Sequence, residues 1–171
     1  WCPADGLRAR EDSDRVPYTV WAKDGHIEPT PGRATDKRRV ALRLAELCAR
    51  FKPEAIAYDL WGMAELQRVL LDEGITLPPL RPWGQGFKTM SPSTKAFEER
   101  VLNRRLKHSG NPLLTWAISN VAIERDAAGN TKPSKERSRE RIDPAVAGIM
   151  AVGIATQEPA PAAERKFSIM F

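Results

Sequence analysis

Two carboxylates stand where carboxylates can do chemistry. Asp59 ends the short apolar run Ala55-Ile56-Ala57-Tyr58, the kind of run that fills a strand buried on both faces. In an open α/β sheet, ligand chemistry gathers at the carboxyl ends of strands, so an acid there can face a metal while its strand stays in the core. Asp143 follows the basic run Lys135 to Arg141 and precedes Pro144 and a long apolar helical segment. Oxygen ligands suit magnesium, which one or two carboxylates usually hold together with waters. Two such ions about 4 Å apart can activate a water and stabilise the leaving oxygen in phosphodiester cleavage. Each acid also has a plain structural reading. A strand-end Asp is a common turn residue, and Asp-Pro before a helix is a capping signal.

Other familiar sites are absent from the pattern. The glycines of Gly84-Gln85-Gly86-Phe87-Lys88 lack the full phosphate-loop signature. His26 and His108 have no partner at metal-ligand spacing and read as surface residues. Cys2 and Cys48 read as ordinary thiols rather than a disulfide framework. There is no nucleophilic triad and no zinc motif.

The elements that must position the two acids follow from periodicity. Residues 1–34 are rich in Pro, Gly and charge and read as an irregular lead-in, with Val16 to Trp21 either a helical turn or extended. Thr35 or Asp36 caps a helix to about Phe51, with Val40, Leu44, Leu47 and Phe51 at helical spacing. The Asp59 strand follows, then a helix from Gly62 to Glu73 stopped by Gly74. Ile75 to Leu80 is a second strand candidate, and Arg81 to Met90 a loop. Ser91 and Pro92 start a helix that should reach His108. Leu113 to Asn120 is ambiguous between helix and strand. Val121 to Arg125 and Thr131 to Ser134 form a hairpin around Gly129. Asp143 and Pro144 open a buried helix to about Ala155, and the Pro/Ala-rich tail 157–171 reads as loose. This alternation is that of a mixed sheet with covering helices, one domain over 35–156.

The chain has 171 residues, 42% apolar and 29% charged, enough for one domain with a core. No apolar run reaches the ~18 residues of a membrane span. Its first residue is Trp1, so it is expected to be a piece of something longer. Net charge is +5 and clustered at Lys37 to Arg39, Arg104 to His108 and Lys132 to Arg141. Such clusters suit a polyanion such as DNA, and equally suit solvated helix faces.

The segments AYDLWG, QGFKTMSPSTKAFEERVLNRRLKHSGNPLLTWAISN and DAAGNTKPSKERSRERIDPAVAGIMAVG, in this order and spacing, resemble the C-terminal nuclease domain of the large terminase subunit of tailed bacteriophages, in the branch with the HK97-type motor. The resemblance runs from about Val16 to Ala155. It implies a ribonuclease H-like α/β fold and metal-dependent endonuclease activity that cuts concatemeric double-stranded DNA during packaging into the procapsid. It implies Mg2+ or Mn2+ in a two-metal site, and Asp59 and Asp143 as catalytic metal ligands. Phosphate contacts are expected at Lys88, Arg104, Arg105, Lys135, Arg137 and Arg139. Lys95 and Asn120 recur in the matching segments without an assigned role.

In the family a third acid comes from an opening strand resembling GLDLS. No such segment occurs in these 171 residues, and Trp1 to Pro3 resembles the WxP segment just beyond it. Asp5, Asp12 and Asp14 lack strand context and are not assigned that role. The implied partners are an N-terminal ATPase, the portal and the small terminase subunit, and the implied location is the host cytoplasm, for a phage or prophage protein. The alternatives are a noncatalytic fragment that binds DNA or docks on motor partners, and another ribonuclease H-like nuclease such as a junction resolvase.

Overall fold

The computed structural model describes residues 1–156. The expected loose tail, 157–171, lies outside the described residues. The elements in order are β1 (Cys2–Pro3), α1 (Leu7–Asp14), α2 (Tyr18–Lys23), β2 (Pro29–Thr30), α3 (Lys37–Phe51), β3 (Ile56–Tyr58), α4 (Met63–Asp72), β4 (Leu80–Pro82), α5 (Phe87–Leu102), α6 (Pro112–Ser119), β5 (Ile123–Arg125), β6 (Thr131–Pro133) and α7 (Asp143–Thr156). The class is mixed α/β. The strands do not merge into the single mixed sheet that the alternation predicts. Among the described residues they form three two-stranded pairs: β1 with β2 and β3 with β4, both parallel, and the antiparallel hairpin of β5 with β6.

Helix α3 forms where its cap predicts. Asp36 Oδ1 accepts from the backbone N–H groups of Arg38 (2.9 Å) and Arg39 (3.3 Å), satisfying donors that the first turn leaves free. Val40 and Ala41 are buried, but Phe51 is 66% exposed. The helix outruns its apolar stripe, and Arg50 lies over the Phe51 ring instead of core packing on it. The crossover β3–α4–β4 joins two parallel strands through a helix, as parallel pairing requires. Helix α4 ends in a Schellman motif: Ile75 N–H donates to Leu70 O (2.8 Å) and Gly74 N–H to Leu71 O (3.1 Å), with Gly74 at φ 64°. That wrap, with Pro78 and Pro79 after it, displaces the second strand from the predicted Ile75 to Leu80 onto Leu80–Pro82. Pro82 lacks an N–H, and the next residue supplies the bond: Trp83 N–H donates to Tyr58 O (2.8 Å).

Helix α5 begins four residues before the predicted start, and ends at Leu102 rather than near His108. Ser91 is therefore inside the helix. It is buried, and its Oγ accepts from Thr131 N–H (3.2 Å), tying the hairpin to α5. Pro92 sits in the helix interior. Ser93 and Thr94 donate their hydroxyls back to Thr89 O and Met90 O. The ambiguous segment after Pro112 is helical because Asn111 caps it, its Oδ1 accepting from Leu114 N–H. Helix α1 has no sequence signal. It is mostly charged and carries no buried residue, yet it turns the expected irregular lead-in into helix.

The main core lies between α7, α5 and the β3–β4 pair. It holds Trp83, Met90, Ile142, Val146, Ile149 and Met150, with Ala57, Phe97, Val121 and Ile154 against it. β3 is half-buried, not covered on both faces: among the described residues it pairs with β4 and packs mainly against one helix, α7. A second cluster, Val16, Tyr18 and Trp21 with Trp116, fastens α2 to α6. Gly153 is where α7 touches α5 and Trp83 most closely. A Cβ there would meet Ser93 Oγ and approach Trp83 Cζ2 to 2.7 Å. Gly153→Ala is expected to lower unfolding stability by about 1–3 kcal/mol through overpacking, read by denaturant titration. A change within ~0.5 kcal/mol would mean that α7 is free to shift away from α5.

Candidate active site

Asp59 is positioned by the carboxyl end of β3. Its backbone follows Tyr58, whose carbonyl is held by Trp83, and its Oδ1 accepts from Trp61 N–H (3.3 Å) across the turn into α4. This is an Asx-type turn, the structural reading of the residue, and it holds the half-buried carboxylate at one end of a cleft. Asp143 is the first residue of α7. The preceding residue, Ile142, is only 1% exposed, and Val146 N–H donates to Ile142 O (2.9 Å). The core thus anchors the start of the helix and turns Asp143 outward, where the helix dipole favours a negative charge.

Asp59 and Asp143 line the same cleft of about 730 Å³, together with Tyr58, Arg81, Gln85, Lys135 and Met150. Lys135 Nζ pairs with Asp143 Oδ1 at 2.5 Å, both side chains more than half exposed. Gln85 donates through Nε2 to Met150 Sδ (3.3 Å), which fixes the loop between β4 and α5 against α7. Glu54 also lines the cleft but precedes β3, five residues and about 16 Å of extended chain from Asp59. Among the described residues, no three His, Cys, Asp or Glu side chains are grouped to share one ion. The acids facing the cleft are hard oxygen donors, which suits a magnesium-class cation held by one or two carboxylates and waters. Asp59 and Asp143 are the two residues that could hold it.

The basic candidates separate. Lys135 alone of the six lines the cleft. Lys88 is exposed in the first turn of α5, and Arg104 and Arg105 are exposed just past its far end, so about 21 Å of helix divides them. Arg104 has φ 55°, and Arg105 N–H donates to Arg100 O. Arg137 and Arg139 are exposed on the turn-rich segment before α7, which Ser134 and Ser138 brace through bonds to Arg137 N–H, Ser134 O and Ala122 N–H. Lys95 is exposed on α5, and Asn120 donates to Trp116 O. His108 accepts from Gly110 N–H in an exposed turn. His26 is half-buried and lines a second cleft beyond Asp143.

Sequence reasoning missed Arg81 and Gln85. Arg81 pairs in register with Ala57 on the strand beside the Asp59 strand. A cation inside an otherwise apolar and Pro-containing segment was the available signal. Away from the cleft, burial and the hydroxyl bond to Asp14 push Tyr18 up to about 12. In the hairpin, Asn130 and turn amides hold Asp126 below the usual carboxylate range.

Comparison with known proteins gives a consistent picture. The family described as terminase large subunit, endonuclease domain, matches residues 3–158. The chain is 37% identical over 158 residues to the terminase large subunit of Enterobacteria phage HK97, covering 92% of this chain and 31% of that protein. It is 32% identical over 161 residues to the protein YmfN of Escherichia coli K12, covering 90% of this chain and 34% of the relative. The crystal structure of the HK97 large terminase superposes with a TM-score of 0.85 at 37% identity, covering 90% of this chain and 32% of that one. The chain spans about a third of the length of the curated relatives it matches.

Proposed function

The chain belongs to the terminase large-subunit endonuclease-domain family, and from that premise we propose that it is a metal-dependent endonuclease domain that cuts concatemeric double-stranded DNA during phage genome packaging. The observation that carries this reading is the meeting of Asp59 and Asp143 on one cleft, although they come from elements far apart in the chain. In this reading the fold is ribonuclease H-like, and the third family acid comes from an opening strand. The partners are the packaging ATPase, the portal and the small terminase subunit, all in the host cytoplasm.

The roles follow from chemistry. Asp59 and Asp143 hold Mg2+ or Mn2+ through carboxylate oxygens. A cation bound there would lower the pKa of a ligated water and neutralise charge building on the phosphate. Arg81 presents a planar fork of donors that matches phosphate oxygens two at a time. Lys135, now on Asp143, is within the same cleft and can hold a phosphate oxygen as a point charge. Contacts of this kind position a duplex without reading its sequence.

The test is plasmid cleavage by the 171-residue chain in Mg2+ or Mn2+, with EDTA as control, beside a polypeptide extended by the family's opening strand. Metal-dependent cutting that EDTA abolishes is expected at least in the extended form. A second reading, a module that binds DNA or docks on the motor without cutting, draws on the absence of a third clustered acid among the described residues. Binding without cutting by both polypeptides, in either metal, would establish it.

A further inference from the structure

We infer that Trp61 is a substrate-positioning residue whose indole packs on the DNA entering the cleft, an inference that rests on the DNA-cutting reading above. Trp61 is 90% exposed, whereas Trp21 and Trp83 are buried in the two cores. Covering that ring with a partner would remove a large apolar surface from water, a favourable change. The ring does not hang from a slack loop. Its own backbone N–H donates to Asp59 Oδ1, and Gly62 at φ 71° closes the turn directly into α4. The same carboxylate that lines the cleft therefore fixes the backbone that presents the indole, which reduces the ordering cost on binding. Leu60, 63% exposed, adds a second apolar side chain to the same turn.

The neighbourhood selects the occupant. Arg81 and Lys135 line the cleft that Asp59 shares, and the chain carries net charge +5, so a polyanion is drawn to this mouth. An aromatic ring beside a phosphate-binding groove stacks on any base face or wedges between base steps, without sequence preference. A duplex whose backbone reaches Asp59 and Asp143 passes the turn that carries Trp61. The indole thus supplies contact that phosphate pairing lacks, and it sets how deep the strand sits.

The experiment uses the 171-residue chain and its extended form with a fluorescent duplex of arbitrary sequence. Anisotropy in EDTA reads binding, and Mn2+-dependent cleavage reads KM and kcat separately. Trp61→Ala is expected to weaken duplex binding about tenfold and to raise KM to match, with kcat within about twofold. Trp61→Phe should retain most of the affinity. Leu71→Ala, at another strongly exposed apolar position (80%) at the far end of α4, should bind as wild type does. Wild-type binding and cutting with unchanged affinity in Trp61→Ala would overturn the inference and leave the nuclease reading standing. Equal losses in Trp61→Ala and Leu71→Ala would also overturn it, since any exposed apolar surface would then serve. A wild-type protein that neither binds nor cuts duplex would remove the nuclease reading and this inference together.

Discussion

Asp59→Asn and Asp143→Asn, each introduced into the extended polypeptide, are expected to reduce metal-dependent DNA cleavage at least about 100-fold. The amide keeps the shape of the carboxylate and removes its charge. At Asp59 the carbonyl oxygen can still accept from Trp61 N–H, so the turn into α4 should survive. At Asp143 the ion pair with Lys135 is lost, but both groups are more than half exposed, and exposed pairs contribute little to stability. Melting temperatures close to wild type would therefore separate a chemical defect from a folding one. Plasmid cleavage at saturating Mn2+ is the measurement. Full activity in either variant would remove that residue from the site, and loss in one alone would mean that a single acid holds the cation.

The second large effect concerns stability. Trp83 is 3% exposed and lies between β4 and α7, against Met90, Ile149 and Met150. Trp83→Ala would leave a cavity in a core that has few other large side chains, and should cost about 3–5 kcal/mol. For a chain of this size that corresponds to a fall of roughly 6–20 °C in Tm. Trp83→Phe should cost much less. The buried Nε1 has no hydrogen-bond partner among the described residues, so deleting it forfeits no bond, and the remaining ring still fills most of the space. Calorimetry of the two variants checks this. A loss below about 1 kcal/mol in Trp83→Ala would mean that α7 collapses onto β4 and the site closes up. In that case Arg81, two residues earlier on β4, would move relative to Asp143, and cleavage would fall with stability.

Local chemistry was legible in the chain. Thr35 or Asp36 before an apolar-periodic run predicts the α3 cap, and it is the Asp36 carboxylate that makes the capping bonds. Asp143 and Pro144 before an apolar stretch predict the start of α7, and Gly129 at φ 81° sits in the predicted hairpin turn. Where local signals compete, they misled. Ser91-Pro92 has the form of a helix start, but Gly86 releases the chain into helix earlier, and the packing of Met90 and Ser91 holds that extra turn in place. Ile75 to Leu80 has the composition of a strand, but the Schellman wrap on α4 uses the first of those residues and the prolines deny the rest. Helix α1 carries no apolar period at all, so no pattern could have revealed it.

The order of residues names the side chains that could act and marks where most elements begin. It placed one carboxylate at a strand end, another at a helix start, and basic charge around the second. The tertiary structure alone decided which of them share a cleft. Proximity between Asp59 and Asp143 depends on α7 packing across β3 and on Trp83 filling the space beneath, contacts between residues far apart in the chain. The same packing draws Arg81, Gln85 and Lys135 into the site and leaves Arg104 and Arg105 at the distant end of α5. Periodicity records which face of an element is buried, not which element it is buried against, and that second fact is what builds a site.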